Sequence, residues 1–180
     1  MDAMANRHLD RVLRPDYLDG IDDWPIEEIR ERRAECQRLE DAVSYLRRLV
    51  QTRIDILGME SRSRSEGQLP DLDSLIAQLP TILSDGEKHH QGGRFLSVEP
   101  DEDQELWAEA RVAQSCGGFD VENAPELEDA ILEVMADNLA TLEREVSMER
   151  RRLHDVFDHL QAELVRRYRS GVATVDGLLR

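Results

Sequence analysis

Hydrophobic residues recur every seven positions in two stretches of the chain, which is the spacing of a helix that packs along one narrow seam. The first seam consists of Ile29, Cys36, Val43, Val50 and Leu57. The second seam consists of Leu132, Leu139, Val146, Leu153 and Leu160. The pattern predicts an all-α protein built on a long two-helix coiled coil, with helices over about 24–60 and 124–169. The connecting segment is expected to contain short helices.

Local signals place the ends of the two long helices. The first helix is expected to begin after Asp22 and Asp23, because acidic residues and a proline, here Pro25, are favoured in the first turn of a helix. The second is expected to begin near Pro125 and to end before Gly171, since glycine commonly terminates helices. Each predicted helix is long enough to present about four heptads to its partner.

The remaining segments determine the predicted domain organisation. Gly58 weakens the first helix, and the Ser- and Arg-rich run 61–67 is expected to end it. The connection contains predicted short helices over 71–83 and 103–115, separated by a loop over 84–101. The predicted organisation is a flexible N-terminal arm (1–22), a single helical domain (23–170) and a C-terminal tail (171–180).

Composition favours elongated helices and an acidic surface. Only 4% of the 180 residues are aromatic and 34% are charged, which suits narrow apolar seams better than a large globular core. A net charge of −16 argues against direct nucleic-acid binding and favours a basic protein partner. The sequence shows no 18-residue apolar run and no secretory h-region, so we expect a cytoplasmic protein without a membrane span.

A five-residue polar pattern, E-x3-S-x2-R-x3-[QH]-x3-D, occurs once on each predicted long helix. The first strip is Glu40, Ser44, Arg47, Gln51 and Asp55, and the second strip is Glu143, Ser147, Arg150, His154 and Asp158. The spacing keeps all five side chains within a stripe roughly 80° wide on a helix. One such pattern arises by chance about once per 10⁵ starting points. Two copies therefore indicate an internal repeat.

The relative direction of the helices decides how the two strips meet. The connection of more than 60 residues leaves both directions open, but an antiparallel pair would relate the strips by a local twofold axis. Such a site would suit a twofold-symmetric ligand. Arg53 and Glu149 interrupt the apolar seams, and whether they approach each other is left open.

The side chains of the strips match the hydrogen-bonding groups of a guanine nucleotide. Carboxylates accept from the N1–H and N2–H₂ edge of guanine, and arginine reaches O6 and N7 or a phosphate. Serine and glutamine supply neutral donors and acceptors. Arg48, Arg151 and Arg152 add positive charge that an anionic ligand requires. A solvated face with ion pairs would explain a single strip, but two strips in matching register favour a ligand site.

The doubled pattern resembles the cyclic di-GMP signature of the RsiG family, actinobacterial anti-sigma factors that sequester the sporulation sigma factor WhiG. The resemblance implies a long antiparallel two-helix coiled coil that binds a dimer of cyclic di-GMP between the strips. It also implies that the ligand-bound form holds the sigma factor and blocks transcription of its target genes. All ten strip residues are predicted ligand contacts. Because both strips lie in one chain, we expect a monomeric protein in a 1:1 complex with a WhiG-type sigma factor.

The second strip departs from the family pattern at His154, where the pattern has glutamine. Neutral histidine can donate once and accept once, and it can stack on a base, but it does not reproduce the geometry of an amide. The second copy of the pattern therefore differs chemically from the first at one position.

Other classes of function have weaker signals. Cys36 lies on a seam and Cys116 precedes two glycines, without the C-x2-C spacing of a zinc site, so we expect a core thiol, a loop thiol and no metal. The sequence contains no P-loop, GxSxG element or glycine-rich dinucleotide turn, so we expect no enzyme. The open alternative is a coiled-coil scaffold or adaptor without a nucleotide ligand.

Overall fold

The computed structural model describes residues 2–66 and 102–170, with side chains for 7–65 and 102–170, and this part of the chain forms helices and turns and no strand. The helices are α1 (Asp2–Val12), α2 (Ile26–Glu66), α3 (Glu102–Ser115) and α4 (Asp129–Arg169). Short 3-10 turns occupy Ile21–Asp23 and Val121–Glu126. The all-α prediction is confirmed.

Helices α2 and α4 pack against each other in opposite directions. Near the start of α2, Arg30 Nε donates to the hydroxyl of Tyr168, in the last turn of α4, over 3.1 Å. At the other end, Arg64 Nη1 donates to Asp129 Oδ1, at the start of α4, over 2.6 Å. The first turn of each helix therefore lies beside the last turn of the other, which makes the pair antiparallel.

The predicted seams form the centre of this pair. All ten seam residues are at most 2% exposed, so the seven-residue spacing identified the buried face of both helices. Cys36 takes part as a core thiol, with its Sγ donating to the carbonyl oxygen of Leu153 over 3.2 Å. Burial raises the pKa of the Cys36 thiol to about 12, so the group stays neutral.

Helix α3 packs on both long helices and matches the predicted helix over 103–115. Its buried side chains are Trp107, Ala108 and Val112. Arg111 Nη1 and Nη2 donate to the two carboxylate oxygens of Glu149 over 2.9 and 3.2 Å. Arg53 lies 3.8 Å from a carboxylate oxygen of Glu109. The two charged residues that interrupt the seams therefore each face an opposite charge on α3.

The N-terminal segment, which the sequence led us to expect as a flexible arm, contains α1 and places apolar side chains in the core. Leu9, Val12 and Tyr17 are buried. His8 Nδ1 lies 2.8 Å from a carboxylate oxygen of Glu35 on α2, and Arg11 donates to the same oxygen. The few apolar residues of this segment carry no clear period, so their burial is visible only in the tertiary structure.

The end of α2 and the start of α4 differ from their predicted positions. Helix α2 passes through Gly58 and continues to Glu66 instead of ending near 60. Arg64 supports this extra length, because its Nη atoms donate to the carbonyl oxygens of Ala124 and Leu127, both over 2.8 Å. These contacts connect the last turn of α2 to the segment that precedes α4.

Helix α4 begins at Asp129 and not near 124, because Asn123-Ala124-Pro125 belongs to a 3-10 turn. The Asp120 side chain accepts from the backbone N–H of Glu122 over 3.0 Å and caps this turn. The predicted short helix over 71–83, the loop over 84–101 and the C-terminal tail over 171–180 lie outside the described residues. Among the helices of the described ranges, none has the length and apolar character needed to cross a membrane.

Candidate functional site: the paired polar strips

The two strips lie on the side of the α2–α4 seam away from α3. Glu40 follows the seam residue Cys36 by four positions, which turns it about 40° past the seam. Arg53 follows Val50 by three positions, which turns it about 60° to the other side, where α3 supplies its partner. The second strip and Glu149 have the same spacings on α4. The strips therefore share one flank of the coiled coil.

The first half-site, defined here as Glu40, Ser44, Arg150 and His154, joins residues of both strips. Glu40 Oε1 accepts from Ser44 Oγ over 2.7 Å and from Arg150 Nε over 2.9 Å. His154 Nε2 lies 3.2 Å from the same oxygen. Arg150 Nε also donates to Ser44 Oγ over 2.8 Å. One carboxylate oxygen of α2 thus holds three side chains in place.

The second half-site, defined as Glu143, Ser147 and Arg47, repeats this arrangement with the helices exchanged. Glu143 Oε1 accepts from Ser147 Oγ over 2.8 Å and from Arg47 Nε over 3.2 Å. Arg47 Nε also donates to Ser147 Oγ over 3.0 Å. Each half-site takes its glutamate and serine from one helix and its arginine from the other. This exchange is the arrangement that a local twofold axis between antiparallel helices produces.

Both arginines are held in a way that leaves part of the guanidinium group for a further acceptor. Within the described residues, the hydrogen bonds of Arg47 and Arg150 use Nε only. Their side chains are 34% and 40% exposed. The planar guanidinium has five donors in a fixed fork, so Nη1 and Nη2 can bind an anion or a base edge while Nε keeps the group oriented.

The glutamates carry the negative charge of the half-sites. For Glu40, burial is the largest single influence and raises the pKa, but hydrogen bonds from Ser44 and Arg150 together hold the pKa below its usual value. Glu40 is therefore ionised at neutral pH, next to the positive charge of Arg150. Its side chain is 11% exposed, compared with 25% for Glu143, so the glutamate of the first half-site is the more enclosed of the two.

The structure brings seven of the ten predicted residues into the two half-sites. Gln51 is partly buried and follows Arg47 at the same spacing at which His154 follows Arg150. Asp55 and Asp158, the last residues of the strips, are exposed. They lie outside the two clusters, because the 80° stripe drifts away from the seam along each helix.

The structure also locates residues that sequence reasoning did not place correctly. Cys116, expected to be a loop thiol, lies in the turn that follows α3, but its side chain is buried in the hydrophobic core, which the sequence did not indicate. Arg111 and Glu109 on α3, which face the seam charges, were not singled out, because their partners are distant in sequence. No group of three or more His, Cys, Asp or Glu side chains within the described ranges has an arrangement that could hold a metal ion.

The fold and these half-sites define a helical protein with a polar, nearly twofold site on one flank of an antiparallel coiled coil. Residues 15–83 match the protein family described as RsiG-like. This range includes the whole first strip and ends before the second. The match confirms the family resemblance over this range and indicates a regulator of the anti-sigma-factor type. A search of curated proteins found no match to the chain.

Proposed function

We propose that this protein is an anti-sigma factor that binds a dimer of cyclic di-GMP between its two strips and, in that state, sequesters a WhiG-type sigma factor. The family match supports the class of regulator. The observation that carries the ligand assignment is the exchange of Arg47 and Arg150 between the strips, which builds two equivalent half-sites from one chain. Two such half-sites suit a ligand that is itself twofold-symmetric.

The chemistry of each half-site supports a guanine nucleotide. The recorded hydrogen bonds to Glu40 and Glu143 end on Oε1, so Oε2 of each carboxylate can accept from the N1–H and N2–H₂ edge of guanine. The Nη atoms of the arginines can donate to O6 and N7 or to a phosphate. A ligand dimer carries four phosphate charges, which makes these two cations important to binding.

Ligand and sigma factor would stabilise each other's binding. A nucleotide between α2 and α4 favours whichever arrangement of the helices offers more contacts to it. If the sigma factor prefers that same arrangement, each partner increases the affinity for the other by the same factor. The chain's charge of −16 is complementary to the basic surface that a sigma factor needs for DNA. Holding that surface would block transcription from the target promoters.

The first testable prediction concerns the two exchanged arginines. In the double variant Arg47→Ala/Arg150→Ala, each substitution removes a charge-assisted contact of about 1.5–3 kcal/mol, so we expect cyclic di-GMP to bind at least about tenfold more weakly per arginine. Titration calorimetry with the full chain, alone and with the sigma factor, measures this loss. Size-exclusion chromatography with and without nucleotide reports on the complex.

A matched control separates the site from general electrostatics. The variant Arg48→Ala/Arg151→Ala removes the same charge from exposed neighbours in the sequence. It should weaken binding much less than the Arg47/Arg150 variant, because it removes nearby charge and no contact of the half-sites. Far-ultraviolet circular dichroism should show the helices intact in both variants. Normal cyclic di-GMP affinity in the Arg47/Arg150 variant would contradict the proposed site, as would absence of nucleotide binding to the unmodified protein under both conditions.

One observation favours the alternative of a coiled-coil scaffold: the Glu–Arg contacts of the strips join α2 to α4 without a ligand. Under this alternative the strips act only as a clamp between the helices. The Arg47/Arg150 variant would then lower the melting temperature, and partner binding would be the same with and without nucleotide. A nucleotide-dependent complex of the unmodified protein would exclude this alternative.

A further inference from the structure

A single position distinguishes the chemistry of the two nearly equivalent half-sites. His154 Nε2 lies 3.2 Å from Glu40 Oε1 in the first half-site, whereas the matching position of the other strip is Gln51. The His154 side chain is 36% exposed and can therefore exchange a proton with solvent. Glutamine does not titrate, so only the first half-site can change its charge near neutral pH.

We propose that His154 couples nucleotide binding at the first half-site to the uptake of a proton. This coupling rests on the proposed function and adds a regulation to the same site. With neutral His154, the charges of Glu40 and Arg150 cancel. A proton taken from solvent onto the imidazole gives the half-site a net positive charge, which favours an anionic ligand.

The charged neighbours of His154 come from the two helices that form the site. On α2, the charged side chain in contact with His154 is Glu40. Asp41 is its neighbour in sequence, and the Arg33 guanidinium lies 4.8 Å from the ring centre of Phe157, three positions after His154. On α4 itself, the charged residues within one turn are Arg150, Arg151, Arg152, Asp155 and Asp158. Arg150 and His154 share the Oε1 atom of Glu40. An incoming phosphate would add negative charge to this balanced group.

The sign of the pH dependence follows from this charge balance. Bound phosphate favours the positively charged form of His154 over its neutral form. Affinity then rises as the pH falls through the range in which histidine titrates, about 6.5. An opposite charge within about 4–6 Å shifts a pKa by on the order of one unit or more. We therefore expect about tenfold tighter binding at pH 5.5 than at pH 8.

The test measures cyclic di-GMP binding to the full chain by titration calorimetry between pH 5.5 and pH 8. The unmodified protein should show the tenfold rise, His154→Gln should bind with nearly constant affinity, and Gln51→His should show a steeper dependence. At one pH near 6.5, buffers with different ionisation enthalpies should change the measured binding enthalpy for the unmodified protein but not for His154→Gln.

The outcomes distinguish the two proposals. If His154→Gln keeps the pH dependence of the unmodified protein, the coupling is overturned. If the unmodified protein binds cyclic di-GMP with an affinity independent of pH, the coupling is overturned and the proposed function stands. If the unmodified protein binds no cyclic di-GMP at any pH, both are overturned.

Discussion

At the scale of single residues, the two glutamates of the strips differ although their sequence contexts match. Glu40 Oε1 is shared by Ser44, Arg150 and His154, whereas Glu143 Oε1 accepts from Ser147 and Arg47. Glu40 is also the more buried of the two. A hydrogen-bonded carboxylate contributes more to stability when solvent competes less for it. The repeat therefore contains one strong and one weaker link between the helices.

This difference predicts unequal effects of two matched substitutions at neutral pH. Glu40→Gln should lower the free energy of unfolding by about 2 kcal/mol, since it removes an ionised acceptor from a largely buried site. Glu143→Gln, the control, should cost about 1 kcal/mol or less because its site is more exposed. Urea unfolding of the full chain measures both values. Equal effects would show that burial does not distinguish the two links.

The same residue predicts a dependence of stability on acid. The pKa of Glu40 is lower in the folded protein than its ordinary value of 4.5, so its stabilising effect is complete above about pH 4.5 and disappears as the pH falls through the lowered pKa. The difference in melting temperature between the unmodified protein and Glu40→Gln should therefore shrink below about pH 4.5. A difference that stays constant down to pH 3 would contradict this.

At the scale of the elements, α3 completes the coiled coil on the flank opposite the strips. The long helices carry Arg53 and Glu149 at positions that usually hold apolar residues, and α3 presents Glu109 and Arg111 to them. A charge at a seam without a partner is destabilising, so these contacts keep the interrupted seams compatible with helix packing. The short helix thereby supports the geometry in which the strips meet.

The contact between Arg111 and Glu149 predicts that substitutions of these two residues have non-additive effects on the free energy of unfolding. Arg111→Met should destabilise the fold by about 1–3 kcal/mol, because it leaves the partly buried Glu149 without its cation. The double variant Arg111→Met/Glu149→Leu should recover much of this loss, since replacing both members of a buried pair by apolar residues is often neutral. Urea unfolding of the single and double variants measures the coupling. A double variant less stable than Arg111→Met would contradict this role of α3.

At the scale of the whole molecule, the antiparallel direction of α2 and α4 allows one chain to form both half-sites. Each half-site needs residues of both helices, so neither helix could form one alone. The net charge of −16 also acts at this scale, because an excess of one charge attracts partners of opposite charge from a distance. Site formation depends on the direction of the helices, whereas partner attraction depends on their composition.

The charge predicts how the proposed sigma-factor complex responds to salt. Association steered by opposite charges slows as salt screens them, so the association rate should fall by about tenfold or more between 50 mM and 500 mM salt. Stopped-flow mixing with saturating cyclic di-GMP measures this rate. A rate independent of salt would show that the acidic surface does not steer the partner.

The sequence by itself determined the period of the seams, the helical character of 103–115 and the repeat of the two strips. These features depend on residues close in sequence, whose positions on a helix follow from about 100° of rotation per residue. The same information did not place Gly58 inside a helix or Cys116 in the core. Glycine in a helix interior is only about 1 kcal/mol less favourable than alanine. Tertiary contacts such as those of Arg64 can offset this cost at Gly58.

The tertiary structure decided the direction of α2 and α4, the exchange of Arg47 and Arg150 between strips, and the partners of Arg53 and Glu149. Each of these contacts joins residues far apart in sequence, with a connection long enough to permit either direction. Which charges meet then depends on how the seams pack and on which flank α3 covers. The sequence therefore determined which residues lie on each helix face, and the packing of the helices decided which faces form a site.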